Sequence, residues 1–77
     1  MDRKNRKLKA EYKLKKQQLN LVTDALTQAY RGFNLSSDPT ATDCCIFEIN
    51  ALRNRRNSIL QDMQSIEQER SKHGNYF

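Results

Sequence analysis

Tryptophan is absent from this chain of 77 residues; proline occurs once, histidine once, and glycine and cysteine twice each. Each shortage closes off a class of protein. Two Gly and one Pro leave too few turn residues for an all-β domain, and no collagen-like or low-complexity repeat is present. A structural zinc site takes about four Cys or His ligands, whereas here the one histidine is His73 and the cysteines are the neighbours Cys44 and Cys45. Side chains adjacent in sequence diverge, so the two thiols are expected to stay reduced, one of them filling core space as a small apolar group. Redox sensing is the alternative, but no basic residue flanks the pair to activate a thiolate.

Long apolar runs are missing as well. Nothing approaches the run of about 18 apolar residues that spans a bilayer. Leu8, Ala10, Tyr12 and Leu14 stand isolated among lysines, which rules against a secretory signal. No Gly follows Met1 for acylation, and Asn75-Tyr76-Phe77 is no prenylation box. The expected location is the cytoplasm. Catalytic groups are equally scarce: the lone His is near the end, no Ser or Cys has a nearby base, and no carboxylate pair stands apart from counter-charges. A chain this short also has little material to wall a pocket of roughly 300 Å³. No enzyme activity, cofactor, metal or small-molecule substrate is expected.

Charge is what the chain has in excess, and it is uneven. Residues 1–16 carry eight cations (Arg3, Lys4, Arg6, Lys7, Lys9, Lys13, Lys15, Lys16) against Asp2 and Glu11, a net +6. Residues 17–77 carry six basic and seven acidic residues, a net −1, so the whole formal charge of +5 belongs to an N-terminal arm. Such asymmetry points to nucleic acid or another acidic surface. Arg6, Lys9, Lys13 and Lys16 follow helical spacing and form one stripe, a candidate set of phosphate contacts whose binding would fall with salt. The plainer account is a solvated face. No zinc finger, helix-turn-helix or aromatic RNA-binding motif accompanies the stripe, and a membrane surface would need anchors beyond Leu8, Tyr12 and Leu14.

Two heptad seams organise the rest. Leu8, Tyr12, Lys15, Leu19, Val22, Leu26, Ala29 and Phe33 recur at alternating spacings of 4 and 3, as do Cys45, Ile49, Leu52, Arg56, Ile59, Met63 and Ile66. This is the coiled-coil pattern of two long amphipathic helices, expected at about 4–33 and 39–70 with a tail at 71–77. Asp38-Pro39 marks the second start, Asp as N-cap and Pro where no amide is needed. Asp43 and Glu48 then sit toward the positive end of that helix and Arg70 and Lys72 toward the negative end. A connection of only residues 34–38 forces the helices antiparallel, so the fold class is all-α, a single helical-hairpin domain. That register sets Asp62, Glu67 and Glu69 beside Lys13, Leu8 and Arg6, and would neutralise part of the arm. Lys15 and Arg56 interrupt the seams, which fits a role in register; the alternative is that they mark where a seam stops being intramolecular. Leu14, Leu21, Ile46 and Leu60 flank the seams and call for another surface. A homodimer forming a four-helix bundle is the simplest cover, and a helical partner protein is the other.

The central segment carries a resemblance. Ala29-Tyr30-x-x-Phe33-Asn34, Asp38-Pro39, Asp43-x-x-Ile46-Phe47-Glu48-Ile49-Asn50-Ala51 and Arg55 resemble the YaaL-like family of small proteins from Gram-positive bacteria, a domain of unknown function. The resemblance covers roughly residues 25–60. It departs at Cys44 and Cys45, where the family carries an aromatic pair, and at Arg56, where a Tyr follows the Arg. It implies a hairpin in a bacterial cytoplasm and no mechanism. Its candidate partner contacts are Tyr30, Phe33, Asn50 and Arg55. The structural alternative has Tyr30 and Phe33 closing the hairpin and Asn50 and Arg55 bonding across it. The expected role is that of a non-enzymatic interaction or regulatory protein acting through helix–helix contacts; the alternative is a nucleic-acid accessory protein using the basic arm.

Overall fold

A computed structural model describes residues 3–72. They form two helices, α1 (Arg3–Leu35) and α2 (Pro39–Lys72), packed against each other as an antiparallel hairpin. The expected pair of helices is present, each slightly longer than its seam. α1 runs on through Asn34 and Leu35, and α2 continues to Lys72, so the start of the expected tail is helical. His73 and the four residues after it lie outside the described residues.

The connection is reduced to Ser36–Asp38, and its hydrogen bonds explain how so short a link turns the chain. Ser36 N donates to Phe33 O at 3.3 Å, closing the last turn of α1. Asp38 caps α2 as expected: Thr40 N donates to its Oδ1 at 3.2 Å, and Thr42 N to its carbonyl at 2.9 Å. The Thr42 hydroxyl also donates to the Asp38 carbonyl at 3.0 Å, and Ser36 Oγ to the same oxygen at 3.2 Å. Pro39 at the first helical position gives up no bond. The first turn of α2 contains no acidic residue, so Asp38 is the group that meets the positive end of the dipole there, with Asp43 a turn too late.

Both seams meet at the interface. Val22, Leu26 and Ala29 of α1 and Ile49 and Ile59 of α2 form the buried cluster, with Leu19, Phe33, Leu52 and Met63 packed on it. Leu8 and Ile66 are buried further toward the termini. Cys45 is half-buried against α1 and Cys44 is exposed; both are free thiols. A methyl at Gly32 would meet Cys45 Sγ at 3.7 Å, an ordinary contact, so no close approach demands glycine there. The hairpin is 55 Å long and only 14 by 13 Å across at the Cα atoms. With two layers and no third, each helix keeps most of its circumference in water. Among the described residues no helix is long and apolar enough to cross a membrane.

Candidate functional site

The basic stripe is where the geometry departs most usefully from expectation. Each helical residue turns about 100° from the last, which puts Arg6, Lys9, Lys13 and Lys16 on one flank of α1, to one side of the seam. All four are exposed. The acidic residues of α2 do not answer them. Lys15 Nζ pairs with Asp62 Oδ2 at 2.9 Å, and Lys4 Nζ pairs with Glu69 Oε1 at 3.2 Å. The expected neighbours Lys13 and Arg6 are displaced from both acids because they lie around the helix from the interface, whereas Lys15 occupies the seam and Lys4 lies at its edge. Glu67, expected beside Leu8, instead accepts a hydrogen bond from Tyr12. Among the described residues, none of the four stripe cations enters an ion pair. Most of the arm's charge therefore faces solvent unopposed.

The start of α1 adds to this. Its first turn holds Arg3, Lys4 and Arg6 and no acidic residue, so cations crowd the positive end of the helix dipole, where anions are favoured. A cleft of about 510 Å³ beside that turn is lined by Arg3, Lys4, Lys7, Leu8 and Glu11. It is an open, mostly basic surface with Glu11 as its one acidic lining residue. Among the described residues no cluster of three His, Cys, Asp or Glu side chains is placed to hold a metal.

Inside the hairpin at the same end lies a polar arrangement that the sequence reading missed. Asn5 is 2 % exposed and Arg70 is 8 % exposed. Asn5 precedes Leu8 by three residues and Arg70 follows Ile66 by four, so both extend the two seams by one step. The spacing carries the signal; closing each seam at its last apolar residue, Leu8 or Ile66, stops it one step short. Tyr12, Glu67 and Arg70 meet here. The hydrogen bond to Glu67 raises the Tyr12 pKa above the ordinary tyrosine value, helped by burial and the Glu67 charge and opposed by Arg70. Among the described residues, Asn5 Oδ1 has no hydrogen-bond partner, so this end of the interface holds a costly buried acceptor. Lys15 fits the register role, because the seam continues intramolecularly past it to Leu8 and Asn5. Arg56 is half-buried and forms no ion pair among the described residues.

The four candidate partner contacts are not brought together. Phe33 packs on the core cluster, as hairpin closure requires. Tyr30 is exposed, on the same flank of α1 as the basic stripe, and Asn50 is exposed on α2. Arg55 is exposed on the side of α2 that carries Asp62, since the two are seven residues apart. No hydrogen bond joins Asn50 or Arg55 to α1 among the described residues, so the structural alternative in which they bond across the hairpin is not seen. Both side chains project from α2 away from the seam. Comparison with family models, curated proteins and solved structures finds no match for the chain. The reading of function rests on this surface.

What the surface offers is apolar area. Leu14, Leu21, Tyr30, Leu35, Ile46, Phe47 and Leu60 are large hydrophobic side chains left in water. They include all four flanking residues for which the seam pattern called for a further cover. Among the described residues they are as numerous as the fully buried hydrophobic ones, so a large part of the hairpin's apolar material lies outside its seam.

Proposed function

We propose that this protein is a non-enzymatic interaction or regulatory protein that works by helix–helix contacts, its exposed flanks covered by helices of another polypeptide. The observation that carries the reading is the set of large apolar side chains exposed along both helices. Scattered single hydrophobic residues are ordinary on protein surfaces, but rows of them on long amphipathic helices mark an interaction surface. The resemblance to YaaL-like proteins belongs to the same proposal, with a cytoplasmic setting and Tyr30, Asn50 and Arg55 as solvent-facing contact residues. The test is thermal unfolding followed by circular dichroism over a wide range of protein concentration. Association through these flanks makes the melting temperature rise with concentration, because the partner binds only the folded state. A cooperative transition at one temperature throughout contradicts self-association and leaves only a foreign helical partner.

A second reading has its own support. The four exposed and unopposed cations Arg6, Lys9, Lys13 and Lys16, together with a first helical turn from Arg3 that holds no acidic residue, favour contact with a phosphate backbone. Each neutralised phosphate releases counterions, so affinity for DNA or RNA falls steeply between low and high salt. Replacing the four cations with Gln abolishes that binding if the stripe makes it. Binding that survives the replacement removes the stripe from the account.

A further inference from the structure

A second repeat runs along α1 beside the first. Leu14, Gln18, Leu21, Ala25, Gln28, Gly32 and Leu35 follow one another at spacings of 4, 3, 4, 3, 4 and 3. That is the rhythm of the seam against α2, turned about a third of the way around the helix and away from the basic stripe. Its leucines are 54 %, 70 % and 80 % exposed in order, and no position of the repeat is charged. From Leu14 to Leu35 it covers about 32 Å of helix. On the other flank of α1, Arg6, Lys9, Lys13 and Lys16 are charged, and the side of α2 that carries Asp62 also bears Glu48, Arg55 and Glu69.

We propose that this repeat docks the same repeat of a second copy of the chain, α1 against α1 and antiparallel, with the two-fold axis at Ala25. The inference rests on the helix–helix reading above and names its partner. The reason is self-complementarity. A two-fold interface uses one patch twice, and this patch has a leucine at each end and an alanine at its centre. Antiparallel pairing sets Leu14 against the copy's Leu35, Gln18 against its Gly32, Leu21 against its Gln28, and Ala25 against its Ala25. Small residues at the centre let the helices approach, and leucines close both ends. Because the repeat carries no charge, docking buries no ionised group, which a surface lined by lysines could not avoid. Two copies meeting on the basic flanks would instead set like charges against each other. The overlap, about 32 Å of helix on a hairpin 14 Å wide, offers on the order of 450 Å² per partner, at the low end of interface sizes, so the dimer is expected to be weak and concentration-dependent.

The experiment combines sedimentation equilibrium with site-directed cross-linking on the full chain. The wild type is expected to approach twice the 9.1 kDa chain mass as concentration rises through the micromolar range, and Leu21→Asp with Leu35→Asp halves that mass while the helical signal persists. Ile46→Asp with Leu60→Asp, on the other flank, leaves the dimer intact. In a Cys44→Ser, Cys45→Ala background, Ala25→Cys forms an intermolecular disulfide under mild oxidation and Leu60→Cys does not. A monomeric wild type overturns the proposal, even though a foreign helical partner would keep the broader reading. A dimer that survives the leucine replacements, or dissociates only with the Ile46 and Leu60 pair, also overturns the proposal while leaving self-association standing.

Discussion

The half of the hairpin beside the connection and the half beside the termini share one seam but use different chemistry along it. Near the connection, Val22, Leu26, Ala29 and Ile49 belong to a buried cluster that ends at Ile59, past the midpoint of α2, and the exposed Leu21, Tyr30, Leu35, Ile46 and Phe47 lie outside it. Near the termini, the interface contains Asn5, Tyr12, Lys15 and Arg70 along with Leu8 and Ile66, and the outside carries the basic stripe. The first is apolar inside and exposes most of the large apolar side chains; the second mixes polar groups into its interior and carries the basic stripe outside. Burial of apolar area drives folding, whereas polar seam positions cost stability and set alignment. The connection half therefore holds the hairpin together and exposes most of the apolar surface on which the proposed partner contact rests. The terminal half fixes which residues face each other and presents charge.

The largest effect should come from removing the centre of the apolar block. Leu26→Ala, 4 % exposed in the wild type, is expected to cost about 3–4 kcal/mol, enough to unfold much of a small hairpin. Ile66→Ala, in the terminal half, should cost less because its surroundings are already polar. Thermal melts of the two variants compare the halves directly, and equal losses would break the distinction. The opposite sign is expected at Asn5. Asn5→Leu removes a buried acceptor that lacks a partner and should raise stability by about 1–2 kcal/mol in chemical denaturation. A loss at that site would mean that the polar end contributes net stability.

How far the sequence reading carried follows from the same contrast. In the connection half, apolar spacing of 3 and 4 predicts both buried stripes, and Asp38-Pro39 predicts the start of α2. Hydrophobic burial depends only on which face a residue occupies, so a periodic count suffices. In the terminal half, ion pairing depends on reach as well as level. Lys13 stands near the level of Asp62, yet Lys15 makes the bond, because two residues along the helix is a rotation of about 200°. Asn5 and Arg70 occupy seam positions just beyond Leu8 and Ile66, the last apolar residues at which the seams close. The candidate contacts Tyr30, Phe33, Asn50 and Arg55 came from a resemblance that says nothing about their faces, and the hairpin distributes them to different sides.

Two smaller changes sharpen the comparison. Gly32 lies within α1 with room for a methyl beside Cys45 Sγ, so Gly32→Ala should stabilise the connection half by about 0.5–1 kcal/mol through helix propensity. A melt at low protein concentration reads this gain, and no gain would mean that the glycine's lack of a side chain is used. The smallest effect is at Tyr12. Its bond to Glu67 requires the protonated phenol, and its folded pKa is raised. The contribution is whole below the ordinary tyrosine value of 10.0 and is lost as pH rises past that value through the raised one. Tyr12→Phe should narrow its stability gap to the wild type at such pH, in melts followed on both proteins. A gap unchanged across that range would remove the Tyr12–Glu67 bond from the terminal half.

The most direct test of the contrast between halves is residue-resolved amide hydrogen exchange on the intact chain under native conditions. Amides of residues 19–33 and 45–60 should exchange only with global unfolding, while those of residues 4–14 and 64–72 open at lower free energy. Uniform protection along both helices, or slower exchange near the termini than near the connection, would contradict it.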